Sequence, residues 1–237
     1  MASILSNRSL VAAVLCLLGC GQALAEVDEL ACWTSRPSAQ LIDVDGVGAV
    51  QGAWSVPGGL LLTRLQATRT PQTLLLAGYD RLSARRLCAE LQTAQLPQAR
   101  ILFGGRERLM AQQGAPAWDW LLVSTDNLAA NLLSGELSGW FIGKGKTVVG
   151  QGLSKSSLTE PSVVAAKLID MQRTQFQPVV LFVAAEHQQR FFEFFSNNPL
   201  PGVFLSFDEP EQVRDVLNKH GSFAANEQAR PLNYYCD

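Results

Sequence analysis

A reactive thiolate needs a cysteine set where backbone N–H groups and the positive end of a helix stabilise its charge. In this chain such a place lies behind an apolar strand expected over residues 73–76. It is the loop Ala77-Gly78-Tyr79-Asp80-Arg81-Leu82-Ser83, which opens a helix. The loop offers a guanidinium and a phenol but no nucleophile. The chain has 5 cysteines. Cys16 and Cys20 fall in the N-terminal leader, which leaves Cys32, Cys88 and Cys236. Cys88 shares an apolar helix face with Ala84, Leu87 and Leu91 and reads as a small buried hydrophobe. Cys32 and Cys236 stand near the two ends of the mature sequence, where a bridge between them would tie down both termini. His187 and His220 lack the Cys or carboxylate spacing of a zinc site. Gly143-Lys144-Gly145-Lys146 lacks the spacing of a phosphate-binding loop, and no serine sits in a Gly-x-Ser-x-Gly elbow. Neither a cofactor nor a metal is expected.

The first residues read as an export signal. Arg8 precedes an apolar run over residues 10–18, and Ala23-Leu24-Ala25 ends a cleavage site before Glu26. The run is about nine residues, whereas a membrane-spanning helix needs roughly twenty. Leu17-Leu18-Gly19-Cys20 offers the alternative of a lipoprotein anchored through Cys20. Either reading places the mature protein in the periplasm or outside the cell, with no transmembrane segment. With 47% hydrophobic and 17% charged residues the chain is globular in composition. Its formal net charge of -2, without basic patches beyond Arg81, Arg85 and Arg86, argues against a nucleic-acid partner.

Short apolar strands alternate with helical segments, the pattern of an α/β fold with a largely parallel sheet. In the first half, strands are expected over 41–44, 74–76 and 101–103, with a helix over 83–91. In the second, a helix from Ser124 or Thr125 to Leu133 precedes strands over 140–142, 179–183 and 202–205. Helices over 187–195 and 209–220 follow, and 221–231 reads as a polar loop. Phe191, Phe194 and Phe195 share a helix face and belong to a core. The organisation expected is a leader over 1–25, a first domain over 26–113, a second over 117–221, and a tail over 222–237. Gly114 and Pro116 mark the boundary.

Three segments of the first half carry a family resemblance. Leu41-Ile42-Asp43-Val44-Asp45 resembles the "LIDVR" strand of the rhodanese-like domains. Residues 48–57 are similar to their "G-x-I-x-G-A-x-x-I-P" turn, and Leu102-Phe103-Gly104-Gly105 matches their "L-x-G-G". The resemblance covers residues 41–105 and implies a central parallel sheet flanked by helices. It also implies a sulfur-carrying cysteine in a Cys-x-x-Gly-x-Arg loop after the central strand. Here Ala77 holds the cysteine position, Asp80 the glycine position and Leu82 the arginine position, with Arg81 one residue away. Ala77 cannot carry a persulfide, and Asp80 adds negative charge to a cradle built for anions.

The second half parallels this layout. Its strand over 179–183 runs into Ala184, Ala185, Glu186, His187, Gln188, Gln189 and Arg190, again alanine before a polar loop and helix. A tandem arrangement with a diverged second α/β domain is therefore expected. The functional expectation is a catalytically inactive rhodanese-like module of the bacterial envelope, binding or scaffolding through these two loops. Its partner would be an envelope protein or a small anionic ligand, with Arg81 and Tyr79 as contacts. The competing expectation is a sulfurtransferase or thiol-disulfide relay using Cys32 or Cys236. A third is a purely structural subunit of an envelope complex.

Overall fold

The computed structural model describes residues 29–46, 48, 50–143, 153–172 and 177–229. The leader, Cys20, Cys236 and the Lys144–Lys146 part of the glycine-lysine segment lie outside the described residues. Two parallel sheets, each flanked by helices, build the molecule, as the α/β pattern requires. No helix among the described residues is long and apolar enough to cross a membrane.

The first half runs α1 (Glu29–Cys32), β1 (Trp33–Thr34), β2 (Gln40–Val44), β3 (Ala53–Val56), α2 (Gly58–Gln66), β4 (Gln72–Leu75), α3 (Arg81–Thr93), β5 (Ala99–Leu102) and α4 (Gly105–Gln112). After the short α5 (Ala117–Trp120) come α6 (Thr125–Leu133), β6 (Ser138–Ile142), β7 (Leu153–Ser156) and α7 (Pro161–Gln172). The chain closes with β8 (Val179–Val183), α8 (Gln188–Asn197), β9 (Val203–Ser206) and α9 (Pro210–Ala229).

The first sheet has the strand order β1-β5-β4-β2-β3, and the second β7-β6-β8-β9. A parallel bridge from Leu122 to Leu205 adds one residue pair beside β9. Read from that edge, the second sheet is Leu122-β9-β8-β6-β7, the same order as the first. The two halves repeat one topology.

The central strands β4 and β8 are buried on both faces, and their successive side chains point opposite ways. In β8, Val179, Leu181 and Val183 enter one cluster while Val180 and Phe182 enter another. Leu74 and Leu75 of β4 divide in the same manner. The larger cluster is shared between the halves. It joins Leu75, Leu102 and Leu109 to Trp120, Trp140, Leu181 and Phe195. Full burial of such a side chain contributes about 1.5–3 kcal/mol, so this shared core binds the two sheets into one packed unit.

Several boundaries differ from the sequence reading. β3, β7, α2, α4 and α7 stand where only turns were read or no element was assigned. Residues 221–229, read as loop, continue α9. Gly221 is tolerated inside that helix because Leu217, Lys219, Ala224 and Ala225 on either side are good helix formers, and one glycine costs only about 1 kcal/mol.

The disulfide expectation is corrected. Cys32 bonds to Cys88, with Cα atoms 5.6 Å apart, so Cys32 is not the partner of Cys236. The reason is packing: α1 lies against α3 and β5, which brings Cys32 onto the apolar face that holds Cys88. Cys88 is buried as expected, at 1% exposure, but as half of a bridge rather than a free thiol.

Candidate functional site

The loop after β4 is organised by side chains that reach it from other elements. Asp80 is the N-cap of α3, its Oδ1 accepting from the Ser83 N–H at 3.1 Å. Asn131 of α6 donates to the same oxygen at 3.1 Å and accepts the Leu82 N–H at 2.8 Å. The Gly78 N–H donates to Glu107 Oε2 at 2.7 Å. Three amides that would face an anion are thus satisfied by carboxylate or amide oxygens of the protein itself.

The side chains of the loop are likewise engaged. Arg81 Nε lies 3.2 Å from Glu136 Oε2, and Arg85 pairs with the other oxygen of that carboxylate. The Tyr79 ring stands edge-on to Phe204, centroids 5.7 Å apart, and packs into the core of the second half. About 10 Å³ of space remains beside Ala77, Gly78 and Arg81, room for at most a single water. The loop expected to be an open recognition pocket is a closed seam between the halves, and Arg81 and Tyr79 serve that seam.

The glycine pair behind β5 explains how the loop is pressed so close. Gly105 has φ 56°, and a Cβ there would lie 2.2 Å from the Leu76 carbonyl oxygen and 2.5 Å from the Gly78 nitrogen. Only a residue without a side chain permits this approach.

Beneath the seam lies a buried carboxyl group that the sequence reading did not single out. Glu107 is 8% exposed. Burial raises its carboxyl pKa to about 7, against the lowering effects of backbone hydrogen bonding from Gly78 and of Arg106. Asp43 is fully buried, and burial raises its pKa despite the nearby Arg106, whose Nε is 3.4 Å from Oδ1. Arg106 also donates to the Val44 carbonyl at 2.9 Å. Tyr79 has its pKa raised, chiefly by burial and then by the charges of Glu107 and Asp80. The Asp43 of the sequence motif is therefore an anchor for Arg106 at the end of β2.

The loop after β8 is different. Ala184 leads into a single turn of 3-10 helix, Ala185–His187, and then α8. Between the C-terminal ends of β6, β8 and β9 is a cavity of about 210 Å³. Ala184, Ala185 and Glu186 line it, with Phe141 and Phe182 on one side and Asp208 and Glu209 on another. This is where parallel α/β sheets generally leave a crevice for ligands. His187 lies beside Glu186, Nε2 to Oε1 3.9 Å, and Arg190 turns away to Glu160 at 2.9 Å. The structure thus brings Ala184, Ala185 and Glu186 to a cavity and ties Arg190 elsewhere. Among the described residues no cluster of three His, Cys, Asp or Glu side chains could hold a metal ion.

Asn131, Glu136 and Glu107 do the most to shape the first loop, and sequence reading passed over all three. Asn131 is the one with a trace in the sequence: an amide in the middle of an otherwise apolar helical stretch. No protein-family model matches the chain, and no curated protein matches it.

Proposed function

We propose that this protein is an exported, non-catalytic module of rhodanese-like type, tandem in architecture, that works by binding through its second half. One observation carries the reading: of the two equivalent loops, the first is sealed by Asn131, Glu136 and Glu107, while the second opens on a cavity of about 210 Å³. Both loops present alanine where sulfur transfer needs a thiolate. The one disulfide among the described residues removes Cys32 and Cys88 as nucleophiles, since a thiolate and not a bonded sulfur attacks. A relay through Cys32 would first have to open a bridge whose two halves are 4% and 1% exposed.

The purified mature protein is expected to show no thiosulfate-to-cyanide transfer, and the Ala77→Cys variant is expected to show none either. The second arm matters more. A cysteine at 77 would find its neighbouring amides already bonded within the protein, so turnover in that variant would overturn the account of the sealed loop. In the intact envelope, a photo-crosslinker at Ala185 is expected to trap a partner while one at Tyr79 is not. The reverse pattern would move the binding site to the first half.

A further inference from the structure

A second cavity, of about 110 Å³, lies between the halves and apart from the opening at Ala184. One wall is a face of α4 with its N-cap, Gly104, Glu107, Arg108 and Ala111, residues that return at helical spacing. The other is formed by Pro201 in the turn before β9 and Phe204 of β9 itself, and Trp120 closes one side. Most of this lining is apolar. Glu107, Arg108 and Gln112 are not, and the first two are unusual.

Arg108 is half-buried and its pKa is lowered by that burial alone. Among the described residues no carboxylate pairs with it. Its one hydrogen bond is from Nη1 to the Phe103 carbonyl at 3.3 Å, although a guanidinium carries five N–H donors. A desolvated cation without a counter-ion is unfavourable unless an anion joins it. Glu107, on the same wall, is the natural candidate for a counter-ion but is 8% exposed and hydrogen-bonded to Gly78. Its burial favours the protonated form, which can donate a hydrogen bond and does not repel an anion. The cavity therefore combines a positive charge without a carboxylate partner among the described residues, a carboxyl whose protonated form is favoured by burial, and apolar walls.

We infer that this cavity binds a small organic monoanion, a carboxylate on a short apolar body, with Arg108 as its charge partner. The size follows from the volume. An apolar cavity of ~150 Å³ holds a benzene, so about 110 Å³ suits a body of roughly four or five heavy atoms. Of the charged groups around Glu107, Asp43 adds to the effect of burial and favours its proton, while Arg106 opposes it; Tyr79 and Arg108 adjoin them. This site is independent of the cavity at Ala184, and its failure would leave the binding role of the second half untouched.

The test is calorimetric or ligand-observed NMR titration of the mature, disulfide-bonded protein with butyrate, its uncharged analogue butyramide, and sulfate. Butyrate is expected to bind with a Kd of about 1 mM or tighter, and both butyramide and sulfate at least ~10-fold more weakly. Arg108→Gln should weaken butyrate by a similar factor, while Arg108→Lys retains it. Affinity should fall as pH rises through about 7, and Glu107→Gln should flatten that dependence. Should Arg108→Gln not fold, Ala111→Leu, which narrows the cavity without touching charge, is expected to weaken butyrate in the same way. The inference is overturned by equal binding of butyrate and butyramide, by unchanged affinity in Arg108→Gln or Ala111→Leu, or by no butyrate binding at millimolar concentration.

Discussion

The loops after β4 and β8 occupy the same place in two sheets of the same strand order, yet one is shut and the other open. In the first, the N–H groups of Gly78, Leu82 and Ser83 end on Glu107, Asn131 and Asp80, and little more than 10 Å³ is left. In the second, the described residues that line the cavity all belong to the second half, and about 210 Å³ stays open between β6, β8 and β9. The difference lies in what packs on each loop rather than in the loop itself. α6 and the turn after it bring Asn131 and Glu136 to the first loop, and Tyr79 answers by entering the core beneath Phe204. A position that a fold uses for chemistry can serve as a joint once its polar groups are satisfied internally.

The largest effect should come from the staple in the first half. The Cys32–Cys88 bridge closes a span of 56 residues, worth up to about 4 kcal/mol by loop-closure entropy. Cys32→Ala with Cys88→Ala should lower the denaturant midpoint accordingly, in one transition, because both sheets share a core. Two separate transitions would show that the halves are independent.

Next is the buried carboxyl of the sealed loop. Glu107 has a folded pKa of about 7 against 4.5 ordinarily, so the folded state holds its proton more tightly than the unfolded chain. Its stabilisation is complete below about 4.5 and is lost as pH rises through about 7, a change on the order of 3 kcal/mol. Asp43, also raised, acts in the same direction at lower pH. Stability measured by urea melts across this range should fall in the wild type and stay flatter in Glu107→Gln, which keeps an acceptor for Gly78. An unchanged slope in the variant would reassign the proton.

Asn131→Ala should cost about 2 kcal/mol, since it strands the Leu82 N–H in a closed site. Gly78→Ala should cost a similar amount, because its Cβ would sit 2.5 Å from the Gly104 carbonyl oxygen. The corresponding change on the open loop, Ala185→Ser, and Arg190→Ala beside it should stay within about 0.5 kcal/mol. Thermal melts of the four variants that failed to separate into these two groups would erase the distinction between the loops.

Much of the architecture was legible in the residues. The continuous apolar run of β8 was read correctly as a central strand, because such a run is a local property. So was α3, with Ala84, Leu87, Cys88 and Leu91 on its buried face. The weaker strands β3 and β7 were missed: they sit on sheet edges and carry exposed polar residues such as Ser55 and Lys155. The seam was invisible for another reason. Asn131 and Glu136 meet residues 80–85 across about fifty positions of sequence, and nothing local to either segment announces the contact.

The sequence by itself determined that neither loop carries a cysteine, that the chain alternates strands and helices, and that the loop after β4 offers no thiol. These are statements about composition and short-range period. Only the tertiary structure decided that Cys32 pairs with Cys88, that the first loop is sealed while the second opens, and that Arg108, with no carboxylate partner among the described residues, lines a cavity between the halves. Those outcomes depend on which elements pack together, and packing is fixed by the sum of many long-range contacts rather than by any one stretch of chain.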